Sequence, residues 1–427
     1  MRRPLKESFR NQVNRNGGII FNQLSFVLKT FNLKEILKEM NKAALLLSLL
    51  LSIFFSCTTQ QDKTEDVAVS HLNWQAIADQ LIKQSQLQLG EQVLLVGQVG
   101  QFEPLVPLLK EGIENAGAKY LGTMSIDGNQ PEAWKTDFTT SLGGLSGEEL
   151  SLFLSAVDLG IMLPGATPAD KTYAGLQDVL NQGKGRTIHF HWQGAYDLNG
   201  RLMEPDSATD LFYENVLLHT DYEALAVKQI EFDSAMRDSW ITVTTPAGTD
   251  IKFQIGDRKV TKQDGNASLS HMATATTLID REVELPAGAI RVAPIEETVS
   301  GTIAFPDSEW GGQLVKDLVM KFDNGKVVDI QAAENIESVQ QEIENAGEAG
   351  KSFREFALGF NPMLAIPEDR SWIPYYGYGG GVVRLSLGDN SELGGNVGGG
   401  YVRWNFFTDA TVIVDEEVWV ENGKLIK

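Results

Sequence analysis

Hydrophobic and polar positions follow two different rhythms along this chain. Between about residues 70 and 237, stretches with apolar residues every three or four positions alternate with short, continuous apolar runs. Beyond 238, short alternating runs are separated by glycine, proline and asparagine turns. The first rhythm is that of helices interleaved with strands buried on both faces, and the second that of antiparallel hairpins. Residues 72–83 predict a helix, 92–97 a strand, 104–116 a helix and 118–126 a second strand, which together make a βαβ unit. Residues 159–163 and 186–192 predict further buried strands, with a helix over 173–182 between them, and a helix over 222–238 closes this half. Strands 240–245 and 250–255, joined through Pro246-Ala-Gly248, open the second half. The predicted fold class is α/β plus β-rich (α+β): a largely parallel α/β layer domain over 71–237 and a hairpin-rich mixed-sheet domain over 238–427.

Upstream of residue 70 the pattern has a different meaning. Lys42 precedes a mostly apolar run over 43–55, followed by Ser56 and Cys57. That run is too short to span a bilayer, which needs roughly 20 apolar residues, and it predicts a lipoprotein signal peptide over 40–56. Cys57 is the only cysteine in the chain, so no internal disulfide competes for it, and lipidation of Cys57 explains both its position and its solitude. Residues 57–70 then form a polar tether, and residues 1–39 are expected to be an upstream extension outside the fold. Thr58, not Asp, follows the cysteine, and lipoproteins of Gram-negative bacteria that resemble this one in that respect usually go to the outer membrane. The expected location is the bacterial cell envelope, with membrane contact through the lipid anchor alone.

Charge narrows the partners. The chain carries a formal −21, yet residues 1–42 hold nine Lys/Arg against three acids, so residues 43–427 carry −27. Such a body repels phosphate backbones, and nucleic acid is not expected as a partner. The catalytic inventory is thin. His189 and His191 share a strand face as an HxH pair without a nearby third donor, and are expected to be structural. His219 stands at a helix junction where Thr220 or Asp221 is the better N-cap, and His271 is an isolated loop histidine. Gly97-Gln-Val-Gly100 lacks the third glycine of a dinucleotide loop, and no Gly-x-Ser-x-Gly elbow is present.

An ordered series of motifs carries more information than any of these residues alone. Asp221-Tyr-Glu-Ala-Leu225, Gly248-Thr-Asp250, Gly288 to Pro294, Val299-Ser-Gly301, Asn324-Gly-Lys-Val-Val328, Glu355 to Pro362 and Thr411-Val-Ile-Val-Asp415 occur in one order. Together they resemble the thermophilic metallo-aminopeptidases of the aminopeptidase T and aminopeptidase S type. The resemblance implies an α/β domain plus a β-rich domain, a possible homodimer, and two divalent ions of the zinc, cobalt or manganese class that activate water.

Carried over by position, the resemblance implies a damaged metal site. A family glutamate falls on Ala289 and a second is retained as Glu355, preceded by Arg354 in place of glycine. A histidine falls on Arg384, a tyrosine on Ser391, and a His-x-Asp pair on Arg403 and Asn405. Guanidinium groups cannot ligate a metal, so no cofactor is expected. Arg384, Arg403 and Arg354 are expected either to neutralise Glu355 as an internal strut or to grip a peptide or small anionic ligand. The rival is a working aminopeptidase that recruits Glu296, Asp389, Glu355 or His271, with Glu296 a substitute for the acid missing at Ala289. The aromatic strip 372–378 is expected to be a hydrophobic hairpin, with stacking on a ligand as its alternative.

Overall fold

Five strands lie parallel in the spatial order Lys119–Ser125, Gln92–Gly97, Leu159–Met162, Arg186–Phe190 and Glu282–Leu285. The computed structural model describes residues 72–368 and 371–427; the expected signal peptide over 40–56, Cys57 and the expected tether lie outside the described residues. Strand Gln92–Gly97 shows why its sequence is continuously apolar. Val93 and Leu95 pack on one face against Ile77, Leu81, Leu105 and Leu109. Leu94 and Val96 pack on the other against Leu142, Leu154 and Leu176. With both faces covered by helices, no position is left for a polar residue. The helices start where local chemistry permits: Asn73 caps Trp74–Ser85 by accepting from the Ala76 amide at 3.1 Å, and Asp221 caps Tyr222–Met236 by accepting from Ala224 at 3.0 Å.

The sheet's last strand comes from beyond residue 238. After Leu285, three residues carry the chain from the edge of the parallel sheet to Ala289–Val292, in the middle of an antiparallel sheet. That second sheet runs Val402–Arg403, Val383–Gly388, Phe353–Gly359, Ala289–Val292, Thr261–Lys262, with Phe406–Phe407 also paired to Val383–Gly388. A third, eight-stranded antiparallel sheet includes Ser300–Ala304, Asp250–Phe253, Ile241–Thr244 and Thr411–Val414. Aromatic packing joins it to the second: Phe253 meets Phe353 and Phe356 at ring distances of 5.9 and 5.3 Å. The described residues belong to one compact unit, Ser70–Lys427, and among them no helix is long and apolar enough to cross a membrane.

This arrangement positions the site. Phe356 and Leu358 turn toward the aromatic core, so the alternate residues of the same strand, Glu355 and Ala357, turn the other way. Arg291 and Arg384 are both registered opposite Ala357 and share its face. The pairing slips between Phe353 and Glu355. That bulge lets consecutive residues Arg354 and Glu355 reach each other on one side of the strand.

Candidate functional site

Glu355 is completely buried, and three guanidinium groups converge on its carboxylate. Arg291 donates from Nη2 at 2.9 Å, Arg384 from Nε at 2.7 Å, and Arg354 closes the third side. Burial pushes the Glu355 carboxyl toward protonation, but Arg291, Arg384 and Arg354 together outweigh it and hold the group far below the usual carboxylate range. A second acid, half-exposed Glu392, bonds Arg291 at 3.0 Å and also pairs with Arg354. Arg384 further donates to the Tyr376 carbonyl at 3.0 Å, and its guanidinium lies 4.9 Å from the Trp404 ring.

Beside this knot, on the last two parallel strands, stands a buried cluster of histidine, glutamate and tyrosine. His189 is registered with Glu284. Its ring meets the Tyr173 hydroxyl at 2.9 Å, and its Nε2 lies 3.5 Å from Glu282. Burial keeps His189 and His191 uncharged, pulling both below the ordinary imidazole value, with Glu284 partly offsetting this at His191. Burial also pushes Glu282 up to about 8, against the hydrogen bond it accepts from Gln177 at 2.8 Å. The aromatic strip roofs this cluster. Trp372–Ile373 pairs with Tyr196–Asp197, and Tyr375 and Tyr376 then adopt φ of 35° and 53°, an uncommon left-handed pair outside glycine. Such strain persists only where packing enforces it. Here the Tyr376 ring stacks edge-on with Trp404 at 5.5 Å and lies so close to Gly194 that a Cβ there would fall 2.5 Å away.

The remaining predicted residues lie elsewhere. The Arg403 guanidinium sits 3.4 Å over the Trp310 ring and bonds Glu342 at 3.0 Å and the Glu309 carbonyl at 2.7 Å, away from Glu355. Asn405 donates to the Leu385 carbonyl at 3.1 Å. With Tyr196, Arg201 and Trp404, these two line a cleft of about 340 Å³. Ala289 is buried on the knot's face, opposite Gly359. Ser391 bonds Asp389 at 2.6 Å on the other side of the knot. Glu296 braces a loop through Arg258 at 2.6 Å and the Asn396 amide at 2.8 Å, and His271 faces Asp264 at 3.7 Å. The acids and histidine of the rearranged-enzyme reading therefore have separate partners. Among the described residues no three His, Cys, Asp or Glu side chains stand where they could hold a metal ion.

Residues 238–366, which supply Glu355, Arg291 and Arg354, match the family description "thermophilic metalloprotease (M29)". That match covers less than a third of the chain and shows a likeness to the family over this segment. No curated protein matches the sequence. Among solved structures, this chain is similar to 2,5-dihydroxypyridine dioxygenase from Pseudomonas putida KT2440, with TM-score 0.56 and 15% identity over 83% of this chain and 96% of that one. It is also similar to AmpT from Thermus thermophilus, with TM-score 0.54 and 14% identity over 82% and 99%. At such identities the likeness concerns the fold. That fold also carries a dioxygenase, so it does not by itself fix a reaction.

Metalloprotease chemistry implies divalent ions, and the side chains around Glu355 do not fit them. A metal needs lone pairs, whereas the groups within bonding distance of this carboxylate are guanidinium donors that stay protonated. Sequence reasoning singled out Arg354 and Arg384 but missed Arg291. Its signal was an arginine at the third position of the otherwise apolar Ala289–Val292 strand, an unusual place for a charge without a buried partner. His189 and His191 stand without a third donor nearby in sequence, because nothing in the local pattern shows that Glu282–Leu285 pairs beside them.

Proposed function

We propose that this protein is a lipid-anchored envelope member of the thermophilic metalloprotease family that no longer hydrolyses peptides through two metals and instead binds a peptide or another anionic ligand beside the former metal positions. The observation that carries this reading is the saturation of Glu355 by Arg291, Arg354 and Arg384, which replaces divalent cations with fixed ones. The Glu355 carboxylate itself, already saturated by guanidinium donors, needs no further ligand. Binding is assigned instead to the cleft that the knot flanks, where Arg403 and Arg201 offer forked donors and Trp404 and Tyr196 offer ring faces. Trp404 connects the two, being within cation–π reach of Arg384.

Metal analysis of purified protein, combined with aminoacyl-chromogen turnover in added zinc, cobalt or manganese, tests the loss of hydrolysis. Stoichiometric metal with turnover abolished by Glu355→Gln would overturn it. A thermal-shift screen of peptides and acidic sugars tests binding: a stabilising ligand is expected whose effect disappears in Arg403→Ala. If no such compound shifts the melting point and Arg403→Ala only lowers stability, the protein is a structural envelope lipoprotein.

A further inference from the structure

Hydrogen-bond supply and demand do not balance in the knot. Arg291, Arg354 and Arg384 are each buried and carry three positive charges, while Glu355 is the only fully buried acid they touch. Their donors outnumber the acceptors: the Nε of Arg291 and of Arg354 have no hydrogen-bond partner among the described residues. What compensates them from the other side is Glu392, whose side chain is 39% exposed while those of Arg291 and Arg354 are 5% and 2% exposed. One Glu392 oxygen, Oε1, bridges both guanidiniums.

Glu392 also lines a polar cavity of about 590 Å³, shared with Gln177, Thr276, Thr277 and Arg281. This cavity is distinct from the Arg403 cleft and has no lining residue in common with it. Several groups on its wall suit an anion. Arg281 presents a guanidinium engaged through Nη1 with the Gly185 carbonyl at 3.0 Å. The Thr277 hydroxyl has no hydrogen-bond partner among the described residues. Glu282, behind Gln177, is kept largely protonated at neutral pH by burial, so it repels an incoming anion little. Glu392 itself sits in the short turn Ser391–Leu393. The turn's backbone is held by buried Leu393 and by the Asn390–Glu296 hydrogen bond at 3.0 Å, so the side chain can swing while the turn stays in place.

We infer that Arg291 and Arg354 form an oxyanion-binding site opening into this cavity, and that Glu392 is a built-in occupant which a small carboxylate or phosphate displaces. The bridging carboxylate oxygen of Glu392 marks where an oxygen of the ligand binds. Two guanidiniums suit a planar carboxylate or a tetrahedral phosphate through charge-assisted hydrogen bonds. Because the occupant is covalently tethered, an external anion competes against a high effective concentration and binds weakly to the resting protein.

The test uses inorganic phosphate and succinate as probes, titrated calorimetrically in chloride-poor buffer against wild-type protein and Glu392→Gln. The amide keeps the size of the side chain but gives up the charge that competes with the probe. Glu392→Gln is expected to bind one of the probes at least roughly tenfold more tightly than wild type; which probe gains identifies phosphate or carboxylate as the ligand chemistry. Arg281→Gln in the Glu392→Gln background is expected to weaken that binding, while Arg403→Ala leaves it unchanged. A folded Glu392→Gln protein that gains affinity for neither probe overturns the inference and leaves Glu392 as a fixed counter-charge. Should Glu392→Gln not fold, hydrogen exchange on wild-type protein decides: phosphate or succinate is expected to alter protection at residues 390–396. Unchanged protection there at saturating probe would equally refute it.

Discussion

Replacing Glu355 by glutamine separates a structural knot from a vacated metal site, because the two predict opposite signs. In the knot, the substitution removes the only fully buried negative charge among Arg291, Arg354 and Arg384, leaving half-exposed Glu392 to pair with Arg291 and Arg354 and no acid among the described residues to pair with Arg384. Breaking a buried pair from one side typically costs about 3–5 kcal/mol. That is a large fraction of the roughly 5–15 kcal/mol by which a domain is stable. In a vacated metal site, acids repel one another, and removing one charge leaves the metal-free protein unchanged or more stable. Urea unfolding followed by tryptophan fluorescence, in the presence of a chelator, reads the difference as a shift in midpoint at constant slope. A Glu355→Gln protein within about 0.5 kcal/mol of wild type, the usual range for an inconsequential surface change, refutes the knot. Acidity gives an independent check. The folded-state carboxyl is held far below its unfolded value, so its contribution is fully present above the unfolded carboxylate range and is lost as pH falls. The gap between wild type and variant is therefore expected to narrow in strong acid.

Other consequences are open to measurement. Glu282 has a folded value raised to about 8, so wild-type stability is expected to fall by about 1.4 kcal/mol per pH unit from its share alone as pH climbs from the unfolded carboxylate range toward 8. Glu282→Gln is expected to flatten that slope in thermal melts run from pH 5 to 9, and an identical slope in the variant would refute the assignment. Arg403→Ala is expected to cost about 1–2 kcal/mol through the lost Trp310 stacking and Glu342 pairing, measurable by the same urea unfolding. Gly359→Ala would place a Cβ 2.0 Å from the Gly379 carbonyl oxygen, where backbone rather than a movable side chain must give way. An overpacking cost of about 1–3 kcal/mol is expected, together with a changed near-ultraviolet signal from the neighbouring tyrosines.

The layered fold was readable because its information is local. Strand Gln92–Gly97 and helix Leu105–Asn115 fall within a residue or two of the positions their apolar periodicity predicts, as does Ile241–Thr244. What local pattern could not show was pairing between distant segments. Glu282–Leu285 carries two glutamates in four residues and resembles an exposed strand, yet Glu282 is buried against His189 and Gln177. The charged knot was partly legible. Arg354, Glu355 and Arg384 stood out through the family resemblance, but whether they would meet depended on a bulge that no motif announces. Arg403 illustrates the converse: position in a motif suggested the knot, and the ring of Trp310, far away in sequence, holds it elsewhere. The aromatic strip is not a hairpin: its short strand Trp372–Ile373 pairs with Tyr196–Asp197, far away in sequence. Its paired left-handed tyrosines became apparent only once the crowding around Gly194 was visible.

The late arrival of strand Glu282–Leu285 constrains how the molecule is made. Its partner Arg186–Phe190 emerges from synthesis well before it, with one side of the ladder unpaired and its N–H and C=O groups open to any other extended chain. Contacts between distant segments form slowly, so this open edge persists while the intervening helices assemble. A holding chaperone on the nascent chain would be needed most in that interval, and substitutions that weaken Glu282–Leu285 should lower yield through aggregation before they measurably change the finished protein.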